Sequence, residues 1–279
     1  MKVAIFSDVQ AILPAMEEAV ERILAWEPDL VAMAGDLVNR GPKSRECLEL
    51  FDRLRRDRGW LPVQGNHETW VLRCGREAPK DDLEREMRRF ADWTYRQVEP
   101  VLPALTDWPD HLCFPGPDGE AWVHVTHGTM AGNRDGVSAN VADEVLRAKI
   151  PRDLALFVTA HTHRPLERML DGTAVLNVGS VGSPFDGDPR GSYGLLEWRG
   201  GRWHWQIARF AYDRDRAVRD FRESGFLEEG GPIARILYQE WYQARSLMPL
   251  WRRHHEPAVL AGERSLESAV DGFFAELRL

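Results

Sequence analysis

Five short clusters hold the residues best suited to chemistry: Ser7-Asp8-Val9-Gln10, Gly35-Asp36, Gly65-Asn66-His67-Glu68, His127-Gly128 and His161-Thr162-His163. Each follows a short apolar run with the length and flanks of a β-strand. Two Asp, one Asn and three His delivered from strand ends are donors enough for two divalent cations, and a mixture of carboxylate, amide and imidazole suits Mn²⁺, Fe or Zn²⁺. A carboxylate shared between two cations holds them roughly 3.5–4 Å apart, a spacing used in phosphoryl chemistry. An isolated Asp at a strand end is ordinarily a turn or cap residue, and His161 with His163 alone would read as a surface pair. Five such clusters in order are harder to explain by packing. Gln10 is the odd member, because a neutral amide binds transition metals more weakly than imidazole. Coordination through its oxygen, a hydrogen bond to a metal-bound water, and simple packing in the loop all stay open.

The elements that must position these groups follow from periodicity. Strands are expected at 3–6, 30–34 and 60–63. Between them lie helical stretches at 14–26, opened by Pro14, and 44–56, with Ser44 as N-cap. This β-α-β-α-β order predicts a parallel sheet with helices on its faces, whose strand ends form the customary ligand edge. Residues 69–110 read as a charged, helix-rich insert. Strands are expected again at 121–126 and 154–160, then as three closing strands at 174–178, 193–198 and 203–209. From 211 onward the chain reads as a helical extension, with helices at 213–223, 233–245 and 266–277 and breaks at 230–232 and 256–262. It carries no evident chemistry of its own.

Hydrophobic residues make up 43% of 279 and charged residues 29%, with a net charge of -8. A sizeable core is therefore available, and no basic footprint for duplex nucleic acid stands out. No stretch is apolar enough to span a membrane, and residues 1–6 run into a strand rather than a leader, so a cytoplasmic location is expected. Cys47, Cys74 and Cys113 share no ligand spacing and read as reduced thiols.

The order of the five clusters resembles that of the calcineurin-like metallophosphoesterases, over roughly residues 1–209. The run from Asn177 to Gly182, followed by Asp186 to Arg190, resembles their bacterial phosphodiesterase-like branch. The run Gly35-Asp36-Leu37-Val38-Asn39-Arg40-Gly41-Pro42 instead resembles the symmetrical dinucleoside tetraphosphatases and the Ser/Thr protein phosphatases. The resemblance implies an α/β fold, a four-layer α/β/β/α sandwich, here as a core at 1–210 with an insert at about 69–110 and an extension at 211–279 packed on it. It implies one metal on Asp8, Asp36, His163 and position 10, and another on Asp36, Asn66, His127 and His161. It implies in-line attack on phosphorus by water activated between the cations. His67 would stand near the leaving oxygen as acid or transition-state stabiliser, oriented by a carboxylate, and Arg40 would clamp phosphate oxygens. Asn66, His67 and Arg40 would thus bind substrate. Three positions depart from the pattern: Ala160 for Gly, Asn39 for Asp, and Gln10 for the histidine ligand, which weakens the first site.

The leading expectation is a phosphoesterase acting on a phosphate mono- or diester, a nucleotide-type small molecule or a phosphoprotein. Arg40 favours monoesters or dinucleoside polyphosphates, and the later motif favours diesters. A second reading is a protein-binding scaffold on a weakened site, as in the retromer subunit that resembles this family. Gln10 and the aromatics Tyr238, Trp241, Tyr242 and Trp251 motivate it. A nuclease is disfavoured by charge. A homo-oligomer is compatible with the sequence. His124 falls on the opposite face of its strand from His127. Trp93 and Tyr95 suit packing within the insert better than stacking on a base.

Overall fold

The alternation of side chains along each strand decides the layers. In the computed structural model, which describes residues 1–278, β1 (Lys2–Phe6) turns Val3 and Ile5 to one face and Ala4 and Phe6 to the other. β2 (Leu30–Met33) divides in the same way, with Ala32 joining Val3 and Ile5 while Val31 and Met33 join Phe6. Both faces are therefore apolar, and both must be covered.

One face is covered by helices. α1 (Leu13–Ala25) buries Met16, Ala19, Val20 and Ile23, and α2 (Ser44–Arg58) buries Cys47, Leu48, Phe51 and Leu54. The other face is covered by a second sheet. β5 (Val123–Thr126) and β6 (Leu156–Thr159) turn Val123, Val125, Leu156 and Val158 into the interior shared with Val3 and Ile5.

The first sheet runs β10-β9-β1-β2-β3 and the second β4-β5-β6-β8-β7. The remaining strands are β3 (Leu61–Pro62), β4 (His111–Phe114), β7 (Leu166–Leu170), β8 (Thr173–Asn177), β9 (Gly191–Arg199) and β10 (Arg202–Phe210). β1 pairs parallel with β2, β2 with β3, and β5 with β6. On the far side of the second sheet, Phe157 and Val175 pack with Leu146 of the short α5 (Asp143–Arg147). The result is an α/β/β/α sandwich.

The insert and the extension share one apolar cluster with the helical face of the first sheet. The insert contributes α3 (Asn66–Arg76) and α4 (Asp82–Val98). The extension contributes α6 (Arg214–Glu223), α7 (Phe226–Glu229), α8 (Gly231–Gln243), α9 (Met248–His254), α10 (Glu256–Leu260) and α11 (Leu266–Leu277). Phe90 and Trp93 of the insert and Phe221, Trp241, Trp251 and Phe273 of the extension belong to the same cluster as Phe6 and Phe51. Trp93 meets Phe226 edge to face, 5.2 Å between centroids, so it packs rather than presenting a face to a base. Tyr95 lies against Gly75.

Several local expectations change. Ser44 is the first helical residue of α2, not its N-cap, because its hydroxyl accepts the Asn39 N–H at 3.0 Å. The three expected closing strands divide between the sheets, β8 in one and β9 with β10 in the other. Residues 256–262 are not a simple break, since α10 occupies most of them. Strands β4 and β7 were not expected; both alternate half-buried and exposed side chains at sheet edges, a weak signal. No helix among the described residues is long and apolar enough to cross a membrane.

Candidate metal centre

Every strand that carries a donor ends on the same edge of the sandwich. Asp8 follows β1, Asp36 follows β2, Asn66 follows β3, His127 follows β5, and His161 and His163 follow β6. Backbone pairing continues past the strand ends, with Asp8 N donating to Gly35 O and Gln10 N to Asp36 O, each at 3.0 Å. These loops are held in an uncommon conformation. Asp8, Gln10, Asp36, Asn39, Arg40, His161 and His163 all have φ between 51° and 74°. A non-glycine residue there costs on the order of 1 kcal/mol or more, and such residues gather where surroundings over-determine them. Close approach fixes the glycines as well: a Cβ on Gly65 would stand 2.2 Å from Asp36 Oδ1.

Two groups of donors converge, each with its ligand atoms within 4.8 Å of one another: Asp36 with His127 and His161, and Asp8 with Asp36 and His163. Asp36 belongs to both. The hydrogen bonds behind the imidazoles fix which nitrogen faces inward. His127 Nδ1 lies 2.8 Å from Ala34 O, and His163 Nδ1 contacts Ser183 O, so each Nδ1–H donates outward. Each Nε2 then presents a lone pair. His127 Nε2 faces Asn66 Oδ1 at 3.1 Å, His161 Nδ1 at 3.3 Å and Asp36 Oδ2 at 3.4 Å. His163 Nε2 faces Asp8 Oδ1 at 3.0 Å. Acceptors facing acceptors in a buried site call for a cation or a proton between them. Asp8 Oδ1 and Gln10 Oε1 are both buried without a hydrogen-bond partner. The residues present therefore fit divalent metal.

The same acceptors favour a proton on His127. Burial opposes it, yet the Asp36 carboxylate outweighs burial and lifts His127 to about 10. Burial likewise pushes Asp36 up, but His127 and His67 together hold it well below the usual carboxylate range. Burial, with His127 adding to it, lowers His161.

Gln10 sits in the centre rather than packing away from it. Its Nε2 donates to Asp36 Oδ2 at 3.0 Å, bracing the shared carboxylate, and its Oε1 has no partner. His67 is oriented differently from expectation, by an amide and not a carboxylate. Asn39 Nδ2 donates to His67 Nδ1 at 2.9 Å, and Thr94 Oγ1 holds Asn39 Oδ1 at 3.1 Å. The His67 proton is thereby placed on Nε2, which lies 3.9 Å from Asp36 Oδ2. Burial lowers His67 to about 3, with Asp36 opposing and Arg40 adding, so the ring is neutral near pH 7.

Arg40 lines the same cleft as Asp36 and His67, but its guanidinium is not free. It pairs with Glu240 of α8 and lies 5.6 Å from the Phe185 ring centre, whose other neighbour is His163, stacked at 4.2 Å. The cleft measures about 960 Å³. Trp70, Met87 and Phe90 of the insert and Ile233, Leu237 and Leu250 of the extension line it, so the extension is part of the site. His124 is where the strand period puts it, on the outer face, stacked on Phe157 and His111.

Two residues escaped a functional reading. Glu68 accepts four backbone N–H groups, from Asp36 (2.8 Å), Leu37 (2.7 Å), Val38 (3.2 Å) and Gly65 (2.8 Å), and so ties the second and third loops together. Its place three residues after Gly65 is a capping-box spacing, the local signal that could have found it. Glu240 left no such signal, because its partner is 200 positions away.

Comparison with known proteins follows this geometry. The sequence profile of calcineurin-like phosphoesterases matches residues 1–165. A curated relative, a symmetrical bis(5'-nucleosyl)-tetraphosphatase of Dechloromonas aromatica, is 32% identical over 117 residues, 40% of this chain; the match spans only 39% of that relative's length. A metallophosphoesterase structure from Sphaerobacter thermophilus superposes with a TM-score of 0.68 at 26% identity, covering 88% of this chain and 99% of the other. A hypothetical protein of Pyrococcus horikoshii OT3 shares the fold, with a TM-score of 0.70 at 18% identity over 85% of this chain and 97% of its own. With the profile covering more than half its length and the clustered donors in place, this chain belongs to the calcineurin-like phosphoesterase family.

Proposed function

We propose that this protein hydrolyses a phosphate mono- or diester of a small, nucleotide-type substrate, using two divalent cations. The observation that carries the reading is the pair of outward-donating imidazoles, His127 and His163, whose Nε2 lone pairs meet acceptor oxygens around one shared carboxylate. One cation would be held by Asp8, Asp36, His163 and Gln10, the other by Asp36, Asn66, His127 and His161. Nitrogen and oxygen donors of this mixture suit Mn²⁺, Fe or Zn²⁺. Bound there, the metals supply Lewis-acid polarisation of a phosphoryl oxygen and activation of water.

The remaining work falls to the chain. His67, neutral and carrying its proton on Nε2, donates that N–H to a phosphoryl or leaving oxygen, held in place by Asn39 and Thr94. Arg40 contributes a fixed positive charge beside it. Arg134 and Arg252 also line the cleft, without an ion pair among the described residues, and favour an anionic substrate. The apolar walls suit a base or aryl group. A tetraphosphatase among the relatives agrees with a nucleotide. The scaffold reading loses its motivation in the extension, where Trp241 and Trp251 are buried and Tyr242 alone of the four aromatics is 55% exposed.

The test is turnover of chromogenic aryl phosphate mono- and diesters with Mn²⁺ added, beside Asp36→Ala and His127→Ala. Metal-stimulated hydrolysis lost in both variants is expected. Turnover absent under all metals, or surviving both substitutions, overturns the reading.

A further inference from the structure

The extension reaches the site through one buried ion pair. Glu240 is fully buried, and the Arg40 side chain is 15% exposed. One Glu240 oxygen takes the Arg40 guanidinium. The other accepts the backbone N–H groups of Leu247 and Met248, the latter at 2.8 Å, at the corner between α8 and α9. The carboxylate is thus held at both oxygens. Arg40 is gripped from three directions: its own left-handed backbone (φ 63°), the Phe185 ring beneath the guanidinium, and Glu240. Only Nη2 is bound to Glu240, and Arg40 Nε is buried without a partner. The cleft that Arg40 lines also holds Asp36, Asn66 and His67.

A buried, charged pair is a poor source of net stability, since desolvation offsets most of its attraction. Its use is direction. A long side chain held at one edge keeps the other edge aimed without losing rotamer entropy when an anion arrives. We propose that Glu240 is a positioning residue, which holds Arg40 so that the accessible part of its guanidinium meets a phosphoryl group seated at the metal centre. The helical extension then supplies part of the catalytic apparatus and is no mere cover. The inference rests on the phosphoesterase reading for what the phosphoryl group is, but not for its test.

The test is a two-residue cycle on Mn²⁺-loaded, full-length protein, read by calorimetric binding of inorganic phosphate. Glu240→Gln keeps the acceptor for Leu247 and Met248 and removes the grip. In the native background Arg40→Ala is expected to weaken phosphate about 10-fold or more, the size of a lost charge-assisted hydrogen bond. In the Glu240→Gln background it is expected to cost less than about threefold, because a loosened Arg40 was contributing little. With a substrate in hand, Glu240→Gln should lower kcat/KM, and Arg40→Lys, which keeps the charge but loses the planar fork, should do the same. Equal costs for Arg40→Ala in both backgrounds overturn the inference, as does tighter phosphate binding by Glu240→Gln, which would make Glu240 a competitor of the anion. A protein that hydrolyses no phosphoester yet shows the non-additive cycle would retire the activity and keep the positioning role.

Discussion

The two donor groups share Asp36 but differ in what surrounds it. The group around His127 is rich in neutral donors: two imidazoles and the Asn66 amide converge on the carboxylate. The group around His163 adds a second carboxylate, Asp8, and one imidazole, but at the position of the missing histidine stands Gln10, whose N–H is turned to Asp36. The difference teaches that one member of a donor set can be replaced without dispersing the rest. Gln10 trades a coordinating nitrogen for a brace on the shared carboxylate, and its oxygen is buried without a partner. The expected consequence is asymmetry: firm metal retention at the His127 group and exchangeable metal at the His163 group.

The largest effect should come from removing what the two groups share. Asp36→Asn is expected to bring bound metal from about two equivalents to less than one and to cost roughly 10³-fold or more in turnover, since the metals' charge stabilisation is lost. Elemental analysis and kinetics check it together. If one group kept full occupancy, Asp36 would not be shared and the comparison would fail. Next in size is Asn39→Ala, which touches the imidazole that belongs to neither group. With the His67 ring released, turnover should fall about 10- to 100-fold at unchanged metal content, the range for second-sphere partners. A loss of metal instead would tie Asn39 to the ligand sphere.

Replacement of Gln10 acts on the asymmetry itself. Gln10→His should raise metal retention at the His163 group about 10-fold after dialysis against a weak chelator. The same change removes the brace on Asp36, so the gain should be smaller than a new imidazole alone would bring. Unchanged occupancy of both groups would mean that Gln10 Oε1 already serves as an adequate ligand.

How much of this was legible in sequence depends on range. The strands were legible as short apolar runs bounded by turn residues, a signal that needs only local residues; which of their side chains, such as Val3, Ile5, Ala32, Val123 and Leu156, face the second sheet came with the structure. The donors were legible for the same reason, each lying just past a strand. What the strand period could not reveal was the left-handed backbone that turns Asp8, Asp36 and His161 inward, since Asp and His adopt it only when surroundings force them. Asn39 was noticed as a departure, but its hydrogen bond to His67 joins a loop residue to the first turn of α3. The role of the extension was illegible altogether. Its aromatics motivated a partner surface, whereas Trp241 and Trp251 belong to the same core as Phe6, and the Glu240–Arg40 pair joins residues far apart in sequence.

The smallest effect sets the limit of the centre. His124 lies within β5, just ahead of His127, but on its outer face, between His111 and Phe157, with Nδ1 3.1 Å from Cys113 Sγ. Burial, with the like charge of His111 adding to it, lowers His124 from 6.5 to about 4. The unfolded chain therefore binds a proton between those values that the folded chain refuses, so this residue makes stability rise with pH from about 4 to about 6.5 and adds nothing to the slope above that. His124→Phe keeps the stacked aromatic contacts and removes the proton. Thermal midpoints of the chelator-treated protein across pH 4–7 should then fall less steeply on acidification, while metal content at both groups and turnover at pH 7 stay within twofold of the parent. A change in metal content would place His124 within reach of the centre, and with it the assignment of the two faces of β5 would have to be reversed.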